Sequence, residues 1–361
     1  MSRVAVVGAG IIGLATAWAL RRRGAEVVLY ESGRTGGGQS AGESRIFRHA
    51  HDDARLASFV SRSRTLWREW EAEFGRPLVS GAGAVAIGDG IEDKLRVLDQ
   101  VPGVPTRRLE AQELSDLMPL LAEYSGPAML DVDGGTIHTL SAIDALTAAL
   151  SDVLVPDHVL SVRHAGAGAE VRTGTGVGAF DRVVLCAGRG TAPLARGTGL
   201  EIPVELSAHV RVTFGVREPP AVPLPTFQDT SGTFGETGVY AAPTEDNRRY
   251  SVGLSGSTPV SPDGSLADPS ELDSLAARAA EYVSRALPGL DPEPLGHVHC
   301  WVTKLPWGSD GVGLWSTGRI TAVAGHNLFK QAPALGEALT DAALTDVVPD
   351  LLRPESRLGA S

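Results

Sequence analysis

Between Val4 and Glu31 the chain reads VAVVGAGIIGLATAWALRRRGAEVVLYE, and few local structures satisfy that order of residues. Val4–Val7 is an apolar, largely β-branched run of the kind found in strands buried on both faces. Gly8, Gly10 and Gly13 follow as GxGxxG. The first glycine permits a tight turn, the second lets backbone approach a pyrophosphate, and the third lets a helix pack closely on its strand. Amides at the start of that helix meet the phosphate charge. The spacing predicts a helix over 11–23, stopped at Gly24 as a C-terminal cap. A second strand, EVVLY, then leads to Glu31, where an acid accepts hydrogen bonds from both ribose hydroxyls. A lone GxGxxG fits any strand–helix turn, but with the strand before it and the acid after it a dinucleotide crevice accounts for more. Glu31 argues against a 2′-phosphate, and so against NADP, which leaves NAD and FAD.

The rest of the composition narrows the partners. At 361 residues there is room for two domains or one elaborate α/β domain. Net charge is −11 and no basic run occurs, so nucleic acid and anionic membrane surfaces are poor partners and neither is expected. An anionic substrate then requires a local positive pocket. Two cysteines make no disulfide framework and fit a reducing interior. The strand begins almost at the N-terminus, leaving no room for a signal peptide, and no apolar run reaches spanning length; a cytoplasmic location is expected.

A second glycine-rich stretch, GGGQSAGESRIFRHA (36–50), follows at once. It suits another approach of backbone to a pyrophosphate and a flavin, whereas simple NAD domains go straight into a crossover helix. Later, VLSVRHAGAGAEVRTGTG has the form of a hairpin that covers an adenine, with Val159 near its start. FDRVVLCAGRGTAPL (180–194) is a buried strand running into a glycine turn at Gly188, and Cys186 within it reads as packing. GRITAVAGHNLFKQAPALGEALTDAAL (318–344) reads as a last strand, a polar loop and a helix entered near Pro333, since proline favours the first turn. The Pro-rich REPPAVPLP and SGSTPVSPDGSLADPS read as surface loops. A loose tail is expected only in the last few residues.

Taken together, GAGIIG with Glu31, ESRIFRHA, VVLCAGRG, VYAAP, Cys300 and AGHNLFK occur in the order of the D-amino-acid-oxidase superfamily of FAD enzymes. Within it the chain resembles the sarcosine oxidase group, and the matching pieces span nearly its whole length. The resemblance implies an α/β (α+β) fold: a Rossmann-like FAD-binding domain (residues 1–77, 138–203 and 298–361) interleaved with a substrate domain (78–137 and 204–297) built on a large antiparallel or mixed sheet. Alternation in HVRVTFGV and RRYSVGLSG agrees with such a sheet.

The same resemblance implies site residues. Gly8, Gly10, Gly13, Glu31, Ser40, Ser44, Arg45, Val159, Gly188, Gly325, His326 and Lys330 are expected to hold FAD. Cys300 matches a cysteine that joins the flavin through a thioether. Buried packing is the alternative for Cys300; a metal site with His297 and His299 is disfavoured because on a strand those two face away from it. Arg45 matches an arginine lying against the flavin, and Arg48 one that binds the substrate carboxylate, joined there by Lys330. An Arg fork with a Lys suits a carboxylate in an acidic protein. Each arginine is otherwise a solvated charge, and Lys330 sits one residue later than in the group's usual GHGFK. Tyr240 matches a cavity-lining tyrosine, or is a core aromatic. His326 is a flavin contact or an ordinary loop histidine. Pro333 and the helix behind it would set positive helix-end charge near the flavin.

Two positions depart from the group. Ala41 stands where relatives carry a His, and Ser251 stands where they carry a lysine that promotes attack by dioxygen. The expected reaction is FAD-dependent oxidation of the C–N bond of an amino or imino acid, an N-methyl or cyclic secondary amine, to an imine, with dioxygen as acceptor giving hydrogen peroxide. Three alternatives stay open: a dehydrogenase with another electron acceptor, a flavin-bound protein without amine chemistry, and an NAD enzyme. No metal is expected.

Overall fold

The structure, a computed structural model, describes residues 1–261 and 265–360. Its first sheet has six strands in the order Val312–Thr317, Ile320–Gly325, Arg182–Leu185, Arg3–Val7, Glu26–Glu31 and Leu154–Pro156. All neighbours are parallel except the first pair. Val4, Ala5 and Val6 are fully buried at its centre, as a strand covered on both faces requires. Helix Ile11–Arg22 packs on one face, sandwiched with helices Ala54–Phe74 and Ala332–Thr345 into one apolar cluster. The predicted helix over 11–23 ends one residue early, and Gly24 takes a left-handed φ of +77° just beyond it. The expected hairpin is present as Val159–Ala165 and Gly168–Thr173, joined by Val177–Phe180 in a small three-stranded sheet.

The large sheet has nine strands and is mixed. Its long members are Glu205–Val216 and Leu290–Lys304, which pair antiparallel with one another. Residues 297 and 298, where the chain divides between the two parts read from sequence, lie inside the second of these without a break. On Glu205–Val216 the even positions Ala208, Val210, Val212 and Phe214 are at most 1% exposed. They meet Leu272, Leu275, Ala279, Tyr282 and Val283 of helix Pro269–Ala286. Each such large side chain contributes on the order of 2 kcal/mol when withdrawn from water. The odd positions of the strand turn the other way, and that face forms one wall of the cleft described below.

Two readings of the sequence need correction. The stretch 255–270 is not all loop: Thr258–Pro259 pairs with Ser207–Ala208, and Pro269 opens a helix whose N-cap Asp268 accepts from the amide of Ser270 at 2.9 Å. Residues 262–264 of that stretch lie outside the described residues. Nor is the end of the described chain loose, because Leu358 is fully buried and its carbonyl accepts from Trp307 Nε1 at 3.1 Å. Among the described residues no helix is long and apolar enough to cross a membrane.

Candidate functional site

A single cleft of about 1410 Å³ runs from the glycine turn to the face of the large sheet. That exceeds the roughly 300–1,000 Å³ that suits an ordinary small ligand, and its two ends differ in chemistry.

At the nucleotide end, Gly8 has φ +97°, and a Cβ on Gly13 would lie 1.8 Å from the Gly8 carbonyl oxygen. Only glycine at both positions lets the helix start this close to the strand. Both Glu31 oxygens accept backbone amides, Oε2 from Ala9 and Oε1 from Gly33, each at 2.8 Å. The carboxylate is thereby fixed at the tip of its strand with lone pairs to spare. Ser40 Oγ accepts from the amide of Ile11 at 3.0 Å, so the second glycine loop closes onto the helix start. Gln39 Nε2 ties the same loop to the carbonyl of Trp301 at 3.0 Å. Gly10, Val159 and Gly188 line the cleft between these points.

At the sheet end, strand register brings one row of side chains together. Arg211 is opposite Gly253, Gly253 opposite Tyr240, and Tyr240 opposite Gln228. Opposed residues point to the same face. Gly253 has no side chain, and a Cβ there would lie 2.3 Å from the Tyr240 ring, so the phenol lies flat across the gap. Burial raises the Tyr240 pKa to about 12, despite Arg211 and Arg45 nearby.

The cations form two groups. The first gathers around Asp310: Arg48 Nη2 donates to Asp310 Oδ2 at 3.1 Å, His51 Nδ1 lies 2.9 Å from the same oxygen, and Asn327 Nδ2 donates to Oδ1 at 2.7 Å. Arg48 also donates to the carbonyl of Ala50. Burial pushes the Asp310 carboxyl up, but His51, Lys330 and Arg48 together more than reverse this and hold it well below the usual carboxylate range. Burial lowers Lys330 to about 8, with Asp310 pulling it back up and Arg48 adding to the fall. His51 falls to about 3, through burial and then Arg48, and is neutral. The Lys330 backbone is clamped from behind, its carbonyl accepting from Ser63 Oγ at 2.8 Å and Trp67 Nε1 at 2.9 Å, while Phe329 stacks on Trp67.

The second group is Arg45 with Arg211. Both donate to the carbonyl of Ser44 at 2.9 Å, and Arg45 also donates to the carbonyls of Gln39 and Ala41. Among the described residues neither meets a carboxylate. Burial and then Arg211 lower Arg45 to about 9. The strand carrying Arg45 is anchored by a buried pair, His49 Nδ1 with Asp131 Oδ1 at 3.0 Å.

Cys300 lies opposite His209 on the neighbouring strand and so shares the cleft face with it and with Arg211. The thiol is half-buried and free. His209 and His326 stack edge-to-face with centroids 5.8 Å apart, and burial first, then Lys304 and His209 respectively, lowers them to about 4 and about 3. Among the described residues no three His, Cys, Asp or Glu side chains come together as a metal site. Ser251 lies on the same sheet face, its hydroxyl 3.0 Å from Thr213 Oγ1.

Of the residues expected from the sequence, Arg45, Arg48, Lys330, Tyr240, Cys300, Gly325 and His326 all border this one cleft. Ser44 and Gly13 do not. The Ser44 hydroxyl is buried away from it without a partner among the described residues, and its carbonyl is the useful atom. Cys186 is buried, as expected, with burial raising its thiol to about 12. Sequence reasoning missed Arg211, Asp310 and His209. The signal for His209 and Arg211 was the polar phase of HVRVTF; nothing local marked Asp310.

The profile of the DAO family, described as FAD dependent oxidoreductase, matches residues 3–342. A curated relative, 4-methylaminobutanoate oxidase (formaldehyde-forming) of Paenarthrobacter nicotinovorans, is 28% identical over 247 residues, covering 64% of this chain. The match spans only 30% of that protein's length. Among solved structures, the open form of NikD, an amino acid oxidase essential for nikkomycin biosynthesis, superposes with a TM-score of 0.86 at 21% identity, covering 100% of this chain and 98% of that one. L-proline dehydrogenase from P. horikoshii gives 0.80 at 21% identity, covering 97% and 95%. At these identities the two structures establish a shared fold.

Proposed function

The chain belongs to the DAO family of FAD-dependent oxidoreductases, and from that premise we propose that it oxidises the C–N bond of an amino or imino acid to an imine. The observation that carries this reading is the continuity of the cleft, from the glycine turn and Glu31 to a wall of cations and one tyrosine. The relatives point the same way: one is named for oxidising a methylamino acid, and the others for amino acid oxidation and proline dehydrogenation.

The residues present fit FAD. The cradle at Gly8 and Gly13 is one that any Cβ would fill, and two polar atoms on the sheet face, Arg211 Nε and His209 Nε2, are buried without partners among the described residues. Gly8, Gly10, Glu31 and Ser40 would hold the dinucleotide, and Arg45, Gly325 and His326 the region nearer the substrate. When bound, FAD supplies the two-electron acceptor.

The chain's own residues would do the rest. Arg48 and Lys330 grip the substrate carboxylate, Arg48 through a planar fork and Lys330 as a point charge. Tyr240 closes the cavity over Gly253. An amine must be neutral to react, and burial beside these cations lowers its pKa. Cys300, free and on the cleft face, is the residue we assign to a covalent flavin link. Dioxygen is the acceptor in this reading. A second reading, another electron acceptor, is favoured by Ser251, which puts a hydroxyl where the sarcosine oxidase group carries a lysine.

Anaerobic addition of N-methyl and cyclic amino acids should bleach the yellow holoprotein, and admitting air should restore the colour. Bleaching with slow recolouring supports the other-acceptor reading. No bleaching across a broad panel of amines overturns the amine chemistry. Colour that stays with acid-precipitated protein, and is lost to the supernatant in Cys300→Ser, is expected for the link; colour lost from the wild type contradicts it.

A further inference from the structure

Behind Asp310 lies a second, much smaller cavity of about 30 Å³, bordered by His51, Asp52, Asp53, Ser309 and Asp310. A water molecule needs roughly 10–15 Å³ and two to four polar partners, so this cavity has room for one. Ser309 and Asp310 border the large cleft as well, whereas His51 does not. One carboxylate therefore stands between the substrate region and the small cavity. His51 is 2% exposed, and its Nδ1 lies 2.9 Å from Asp310 Oδ2. An ionised carboxylate only accepts, so Nδ1 carries the proton and Nε2 is left as an acceptor. That nitrogen is buried without a partner among the described residues. A molecule lying in the cleft does not reach it, but a water in the small cavity does. On the far side Asp52 opens to solvent, its side chain 66% exposed.

The reaction proposed above has to discharge a proton. The substrate enters as an ammonium, a hydride equivalent leaves the carbon beside nitrogen, and the iminium that remains has one N–H fewer. One proton leaves the site in each turnover. We infer that Asp310, positioned by His51, is a back door for it: the carboxylate takes the proton from the substrate ammonium at the cleft and passes it to a water in the small cavity, and so to solvent past Asp52 and Asp53. The inference rests on the proposed function. In this step an N–H bond breaks, an O–H bond forms on Asp310 and breaks in turn, and Asp310 ends ionised. Arg48 and His51 face Asp310 from one side, Lys330 and His326 from the loop before the last helix, and Asp52 and Asp53 border the cavity behind it. The cations keep Asp310 ionised and ready to accept. A substrate acid that draws on Arg48 and Lys330 weakens that hold and makes Asp310 a stronger base. Their remaining charge then drives the proton onward, so Asp310 passes it rather than storing it.

The test is anaerobic, rapid-mixing reduction of the holoprotein at pH 7 by proline and by thiazolidine-4-carboxylate. Proline arrives as an ammonium; the ring sulfur makes the other amine weakly basic, so it arrives largely neutral with no proton to lose. Ala360 borders the small cavity and not the cleft, and Ala360→Leu fills that cavity. The limiting rate of bleaching at saturating proline should fall about tenfold in this variant, while that for thiazolidine-4-carboxylate changes by less than about twofold. His51→Leu, which loses both bonds, should show the same split. For any other amine that bleaches the flavin, the deficit should vanish as pH rises until the free amine predominates. A crystal structure of the wild-type holoprotein should show a water within hydrogen-bond distance of His51 Nε2. An empty cavity there overturns the inference without recourse to a variant. So does an equal loss for both amines, which is structural damage, or no loss for either. In those cases amines still bleach the flavin and the proposed function stands. If no amine bleaches it, the proposed function fails.

Discussion

Arg48 and Lys330 share their part of the cleft with a carboxylate, Asp310, whereas Arg45 and Arg211 share only the carbonyl of Ser44. In the first region the protein has supplied a counter-charge, with which the proposed substrate carboxylate would have to compete. In the second, no carboxylate among the described residues pairs with either guanidinium, and backbone carbonyls take their bonds. The difference shows that a count of cations around a pocket says little until each is matched to its own acceptors.

The largest effect expected from this contrast is on stability. Asp310→Asn makes the first region resemble the second, leaving Arg48 and Lys330 without a counter-charge, and should cost about 3 kcal/mol in a denaturant melt at pH 7. Asp310 is ionised more readily folded than unfolded, so its stabilisation is complete above the ordinary carboxylate range and is lost as pH falls through the folded value. The gap between variant and wild type should therefore persist through mild acid and close only in strong acid. A gap already closed at pH 5 would mean that Asp310 is not the anchor described.

Next comes Arg48→Met, expected to lower kcat/KM for carboxylate-bearing substrates by about 100-fold while changing the flavin spectrum little. Equal losses for neutral amines would remove Arg48 from the carboxylate site. A smaller effect belongs to Lys330, whose charge is faced by Asp310, Arg48, His51 and His326. It is protonated below about 8 and neutral above. Affinity for a carboxylate without an amine should fall about tenfold as pH rises through that value, and Lys330→Met should lack the step. Smallest is Gly42→Ala. With φ at +116° and two guanidiniums against its Cβ position, it should cost about 1 kcal/mol in the same denaturant melt. A neutral result would show that the two arginines have other room.

The same contrast separates what was legible in the sequence from what was not. The nucleotide end is local: Gly8, Gly13 and Glu31 lie within one strand–turn–helix–strand unit, and their spacing carries their geometry. The motif ESRIFRHA placed Arg45 and Arg48 by resemblance. Asp310 and Arg211 are different. Arg211 meets Arg45 across 166 residues of chain, at the Ser44 carbonyl and between strands of different sheets, and Asp310 reaches Arg48 across 262. Alternation in HVRVTF does separate two faces of a strand. It cannot say whether the polar face meets water or a cleft, because that depends on which element covers it. The helix start at Pro269 shows a lesser failure, where a Pro- and Ser-rich composition outweighed a local Asp-Pro start signal.

One measurement bears on the whole account: anaerobic, rapid-mixing reduction of the flavin by a cyclic imino acid and by its methyl ester, side by side. The account predicts that the acid bleaches the flavin and that the ester does so about 100-fold more slowly or not at all. An ester as fast as the acid, or a flavin that neither compound reduces while other imino acids fail as well, would contradict it.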